Sequence, residues 1–434
     1  MIRKLLICAT VVISSIATAQ ESTSSPYSFY GIGSLKFKGT VENRSMGGIS
    51  VYSDSIHINL RNPASYAGTN LALYNNEARP VKFALGTSYA STTIEASTAS
   101  DSYSNSAIDY LALALPLNKF GLCFGVLPYS SVGYNLQSRN ENNDLQYRYR
   151  GAGGINRVFI GLGYQVFENL KIGLDYQYNF GNISNTSIAF GYNAFGELLQ
   201  FQSREINRSD LGGFSFNFGT IFNKKMRNNF ELMIAASYSP EARIASKNQS
   251  EFSTIVIDSN QTEFVVDSAI VDLESDNLSS TSLILPSKTN FGIGIGNPRK
   301  WFIGVDYTFL EASRFSNRFV EIDNTTFKDA TSLSIGGFFI PKYDSFGKYW
   351  KRIVYRTGLR LEQTGLVVNN ESIDEFGISF GVGIPVGRLF SNANFAFEWG
   401  QRGTTVSNLV KETFFNINIS LSLNDRWFEK RKFN

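Results

Sequence analysis

Apolar and polar residues alternate through residues 170–180: Leu170, Ile172, Leu174, Tyr176, Tyr178 and Phe180 share one parity, and Lys171, Asp175, Gln177 and Asn179 the other. A strand points successive side chains to opposite faces, so this spacing sends one set to water and the other to hydrocarbon. The pattern recurs along the chain. Val81, Phe83, Leu85 and Tyr89 form one such set, and Val158, Ile160, Leu162 and Tyr164 another. Phe214, Phe216, Phe218 and Phe222 form a ladder of rings that a soluble surface would not expose. Later sets include Phe291-Ile293-Ile295, Ile303-Val305-Tyr307-Phe309, Phe395-Phe397-Trp399 and Phe415-Ile417-Ile419-Leu421-Leu423. With weaker segments near 107–116, 119–131 and 329–340, the spacing predicts about 14 antiparallel strands between residues 81 and 424, the habit of a transmembrane β-barrel.

The opposite parity carries Lys82, Arg157, Lys171, Asp175, Glu231, Asp306, Arg356, Arg360, Glu362 and Glu398. A charge facing hydrocarbon costs about 2–4 kcal/mol near the bilayer midplane, so these side chains must face a lumen or a plug. Both signs occur, which predicts ion-pair bracing across the interior rather than an ion-selective ring. Connections alternate as well. Short turns fall near 117–119, 167–169, 223–228 and 297–300, while longer polar stretches at 132–154, 183–207 and 242–288 read as external loops. The connection at 341–351 is long for the short-turn side, which suggests contact with a partner.

Composition agrees with strands. The 434 residues include 36 Phe, 21 Tyr and 37 Gly against 10 Pro and 1 His. Beyond the N-terminus no run of eighteen apolar residues occurs, which argues against membrane helices. A net charge of +3 is too small to imply a nucleic-acid partner. Residues 1–19 read as a secretory signal: Arg3 and Lys4, an apolar stretch over 5–16, then Ala17-Thr18-Ala19. Once it is removed only Cys123 remains, so no intrachain disulfide is expected. Residues 20–75 lack strand alternation and are rich in Gly, Ser and Asn. Their scattered apolar residues (Phe29, Tyr30, Ile49, Val51, Ile58, Leu60) favour a hatch folded into the lumen. The organisation expected is signal peptide 1–19, hatch 20–75, barrel 76–424 and a basic tail at 425–434, with Arg426, Lys430, Arg431 and Lys432.

Gly47, Gly48, Asp54, Asn62, Pro63 and Ala64 form a Gly-Gly…Asp…Asn-Pro-Ala run ahead of the strands. With residues 25–28, 128–134 and 427–432, this run resembles the FadL family of hydrophobic-compound channels, most nearly a Bacteroidota branch. The resemblance implies an outer-membrane location and a hatch that includes Asn62, Pro63 and Ala64 at the ligand path. It also implies a lateral opening made by a kink in the third strand. Pro128 lies in the third strand by count, and proline belongs at strand edges or bulges. Gly121, Cys123 and Gly125, facing inward beside it, would let a hatch approach that wall.

Other motifs carry less. Gly377-Ile378-Ser379-Phe380-Gly381 fits G-x-S-x-G, but it lies inside an alternating strand, and the single His57 is in the hatch. No enzyme activity and no cofactor are expected. Gly292-Gly294-Gly296 has no following helix and reads as small lumen-facing residues. Asp258, Glu263, Asp267, Asp272, Glu274 and Asp276 lack the spacing of a calcium loop and read as a solvated hairpin. The leading expectation is an outer-membrane channel for passive uptake of small hydrophobic molecules that exit sideways into lipid. The alternative is a non-transporting barrel that serves other envelope proteins, as an accessory subunit in type IX secretion or β-barrel assembly.

Overall fold

The computed structural model describes residues 25–425, apart from 37, 55, 69–79, 98, 141, 316–318, 320–324 and 387–390. The expected signal peptide and nearly all of the basic tail lie outside the described residues. No described helix is long and apolar enough to cross a membrane. The chain instead closes an antiparallel barrel of fourteen strands.

The strands are β1 (Val81–Glu95), β2 (Ser100–Leu117), β3 (Phe120–Arg139), β4 (Leu145–Phe167), β5 (Leu170–Ala189) and β6 (Gln202–Lys225). β7 joins Glu231–Ser239 to Ala242–Ile257 across a break at Pro240. β8 comprises Glu263–Ile270, Ser280–Leu285 and Lys288–Asn297, and β9 is Trp301–Leu310. β10 joins Thr325–Phe327 to Ala330–Phe339. β11 (Val354–Val368), β12 (Glu371–Pro385), β13 (Asn392–Gly403) and β14 (Lys411–Asp425) complete the set. Fifteen register pairs, from Lys411↔Glu95 to Asp425↔Val81, close β14 onto β1.

Parity holds as the alternation predicts. Ile172, Leu174, Tyr176, Tyr178 and Phe180 are exposed on the outer face of β5, while Asp175, Gln177 and Asn179 are buried inside. Phe214, Phe216 and Phe218 point outward, and the first two lie beside Tyr176 and Tyr178 with ring centroids 5.0–5.4 Å apart across the two strands. Aromatic cross-strand pairs of this kind stabilise a sheet by about 0.2–1 kcal/mol each.

The polar stretches read as long external loops are largely strand. β3 runs to Arg139 and β4 begins at Leu145, while β6 and β7 stay paired from Gln202↔Ile255 to Gly212↔Ala245. Above the bilayer both faces of a strand meet water, so alternation fades while the hydrogen-bond ladder continues. Polar composition marks the end of the membrane belt, not the end of the strand.

The buried apolar core sits inside the barrel, between wall and hatch. Val41, Ile58, Leu60 and Tyr66 of the hatch pack with Ala84, Tyr110, Ala112, Cys123, Leu127 and Phe159 of the wall. A second cluster joins Met46, Ile49 and Val51 to Ile221, Met233, Phe302 and Phe338.

Candidate functional site: the hatch and the seam beside Pro128

The hatch is held by small residues opposite it. Gly121, Gly163, Gly173 and Gly219 pair directly in register, making one row across β3 to β6. The Asn62–Ala67 segment lies along this row. A Cβ on Gly121 would overlap the Tyr66 carbonyl, one on Gly173 the Pro63 carbonyl carbon, and one on Gly219 the Asn62 side chain. Pro63 starts a short 3-10 turn, and Asn62 caps it by accepting from the Ala64 N–H at 3.1 Å. The Asn62 amide donates to the carbonyls of Thr220 and Ala236, each at 3.1 Å. Asn62, Pro63 and Ala64 are thus buried against the wall.

A second row, Gly294, Gly304, Gly336 and Gly358, crosses β8 to β11. Here a Cβ on Gly336 would overlap the Met46 carbonyl, and one on Gly358 the Gly47 nitrogen. Ser379 accepts from the Gly47 N–H at 2.9 Å, so the G-x-S-x-G serine holds the hatch from a strand. Gly121 and Cys123 do allow the close approach expected of them. Gly125 instead faces Phe159 and the Leu111 carbonyl, both in the wall.

An ion-paired cluster supplies the next layer. Glu375 on β12 meets Lys38 of the hatch at 2.6 Å, Arg360 of β11 at 2.7 Å, and Arg402 of β13. Arg360 also pairs with Glu362 at 2.6 Å and Glu398 at 2.7 Å, and Arg44 with Asp109 at 3.2 Å. The bracing expected from mixed charges is present. Of its members the alternation identifies Arg360, Glu362 and Glu398; it does not identify Asp109, Glu375 and Arg402 of the wall, nor Lys38 and Arg44 of the hatch, where no alternation exists.

The short helix α1 (Val41–Arg44) stands between two cavities. Arg44, Gly47 and Gly48 line an upper one of about 1020 Å³, and Thr40, Glu42, Asn43 and Met46 a lower one of about 440 Å³. The upper cavity is strongly charged. Five cations (Lys36, Lys38, Arg44, Arg360, Arg402) face four carboxylates (Asp109, Glu375, Glu398, Glu412). At the lower cavity Asp54 accepts from the Ile56 and His57 N–H groups at 2.9 and 2.7 Å, and its carboxylate meets His57 Nδ1 at 2.6 Å. Burial alone would raise the Asp54 carboxyl, but attraction to His57 and these hydrogen bonds hold it below its ordinary value of 3.8.

Pro128 marks the place where the wall parts. The β3–β4 register slips between Pro128 and Ser130, and Gly153 and Gly154 opposite take φ of 116° and 144°. β2 and β3 pair only from Leu111↔Val126 to Leu117↔Phe120. Beyond that point β3 turns inward, and residues 130–134 are buried on both faces. The hatch takes over its freed edge. Ser34 and Leu35 pair with Ser131 and Ser130, the Lys36 N–H donates to the Tyr129 carbonyl, and Ser28 bonds both polar atoms of Gly133. Pro128 itself lines the upper cavity, so the charged lumen reaches the seam.

The fold is that of the hydrocarbon channels. The toluene transporter TbuX of Ralstonia pickettii is similar, with a TM-score of 0.57 at 14% identity over 90% of this chain and 99% of that one. The toluene transporter TodX of Pseudomonas putida gives 0.56 at 14% over 91% and 99%. A FadL homologue of Pseudomonas aeruginosa gives 0.56 at 13% over 89% and 98%. No curated protein sequence matches the chain. One family model, described as BamG, matches residues 1–434.

Proposed function

The chain belongs to the BamG family, and from that premise we propose that it works as a non-transporting subunit of the β-barrel-assembly machinery in the outer membrane. The Bam name points to that machine, and the observation that carries the reading is the lumen. A hydrophobic solute gains about 0.8 kcal/mol for each CH₂ it keeps from water, so a channel for it needs an apolar path. Here the cavity that reaches the seam is lined by nine charged groups, and the hatch is seated on two glycine rows. The long periplasmic connection between β10 and β11 adds a surface for partners. Phe346 is fully exposed there, with Tyr349 and Trp350 half-exposed beside Lys351 and Arg352.

The test is purification from native membranes in mild detergent. Stoichiometric recovery with assembly components is expected. A chain recovered alone overturns the proposal, and recovery with components of a secretion apparatus moves it to that machine. The channel reading keeps one observation in its favour, the parted wall beside Pro128 in a fold shared with TodX and TbuX. On that reading, deletion of the chain lowers uptake of a fatty acid or small aromatic compound. On ours, uptake across such a panel is unchanged.

A further inference from the structure

The two edges of the parted seam are treated differently. The β3 edge is covered by hatch backbone and side chains at Tyr129, Ser130, Ser131 and Gly133. Among the described residues, the β2 edge opposite has no strand beside it from Ser100 to Tyr110, although the same residues pair with β1 on their other side. There, the Ser102 N–H is turned to the neighbouring Asp101 carboxylate at 2.7 Å.

The part of this edge from Ser104 to Tyr110 lies in the belt that faces lipid, and its Ser100 end is level with the Glu95–Lys411 ion pair. Ser106 pairs with Tyr89, Tyr89 with Ile417, and Ile417 with Phe397, and the two rings, Tyr89 and Phe397, are exposed on the outer surface. Open backbone N–H and C=O groups cost several kcal/mol each in hydrocarbon, so an edge at this depth needs water or another strand. Its outward residues are Ser100, Ser102, Ser104, Ser106 and Ile108, of which the four serines suit an acyl chain poorly. Its inward residues Tyr103, Asn105 and Ala107 border the charged cavity. The hatch already adds a strand within this gap, at Ser34 and Leu35.

We propose that the β2 edge from Ser100 to Tyr110 is a docking site for an extended segment of a partner protein, added antiparallel in the place β3 vacates. The segment that fits has about ten residues. It alternates, with polar side chains toward the charged cavity and apolar ones toward the bilayer, as a strand of another outer-membrane barrel does. Backbone groups supply the attraction and alternation supplies the selection.

This inference rests on the subunit reading. The experiment compares amide hydrogen exchange in the assembly purified from native membranes with exchange in the full-length chain stripped of its partners. Alternate amides between 100 and 110 should exchange at least tenfold more slowly in the assembly. Those of Leu111–Leu117, already paired with β3, should not change. A photo-crosslinker placed in turn at Ser102, Ser104 and Ser106 should reach partner residues spaced two apart in descending order. Equal exchange in both samples, slow exchange in the isolated chain, or crosslinks to lipid alone each overturns the proposal. A chain that leaves the membrane alone defeats both readings. A chain that keeps its partners while exchange is equal defeats only this one.

Discussion

The Asn62 side chain occupies the space that a Cβ on Gly219 would need, and from there its amide bridges the Thr220 and Ala236 carbonyls. Hatch and wall are complementary at the scale of one methyl group. Small-to-large changes in such contacts cost about 1–3 kcal/mol. Gly219→Ala should therefore loosen the hatch and leave the barrel closed, read as faster proteolysis within residues 25–68 at unchanged heat-modifiable gel mobility. Gly347→Ala, where nothing lies within 4 Å, should have no effect.

Asn62 itself separates shape from hydrogen bonding. Asn62→Ala leaves two carbonyls without their side-chain donor, a loss of about 1–3 kcal/mol. Asn62→Asp keeps the shape but sets a carboxylate against those carbonyls, so it should be worse than alanine. Protease resistance of the hatch in the two variants gives the order, and an aspartate variant as stable as wild type would contradict it.

The ion cluster predicts a ranking. Glu375 serves three cations, so Glu375→Ala leaves Lys38, Arg360 and Arg402 short of a partner, at a cost of about 3–5 kcal/mol. Lys38→Met leaves Arg360 and Arg402 on Glu375 and should cost less. Thermal unfolding of the purified variants should place Glu375→Ala lowest.

Acid should act on the hatch turn at Asp54. Its carboxyl is held below 3.8 in the folded protein, so the stabilisation is present above the unfolded value. It is lost only as pH falls through the lower folded value. Protection of the Ile56 and His57 amides, relative to their intrinsic exchange at each pH, should hold down to about pH 4 and weaken progressively below it. Asp54→Asn should remove that dependence.

Outer-face parity can be tested in the phenylalanine ladder. Phe216→Lys places a charge in the lipid belt at about 2–4 kcal/mol, whereas Ser184→Lys, above the belt on β5, should be tolerated. Refolding into vesicles in urea measures both.

Alternation alone determined that the chain forms a barrel, how many strands it has and which face of each meets water. The reason is local: a strand's period is two wherever it lies, and a single misplaced charge in lipid is costly. The same reading could not tell a polar loop from a strand standing above the bilayer, since both show polar residues on every side. Asn62-Pro63-Ala64 and Pro128 were visible as motifs. What they touch was not, because the partners of Asn62 lie 158 and 174 residues away along the chain. The glycine rows appear only when four strands are brought into register. Likewise, Glu375, Lys38 and Arg402 become one cluster only when the barrel closes around its hatch. Tertiary structure also decided that the seam beside Pro128 opens on a cavity with nine charged groups, since that depends on which side chains five strands and the hatch bring to one place.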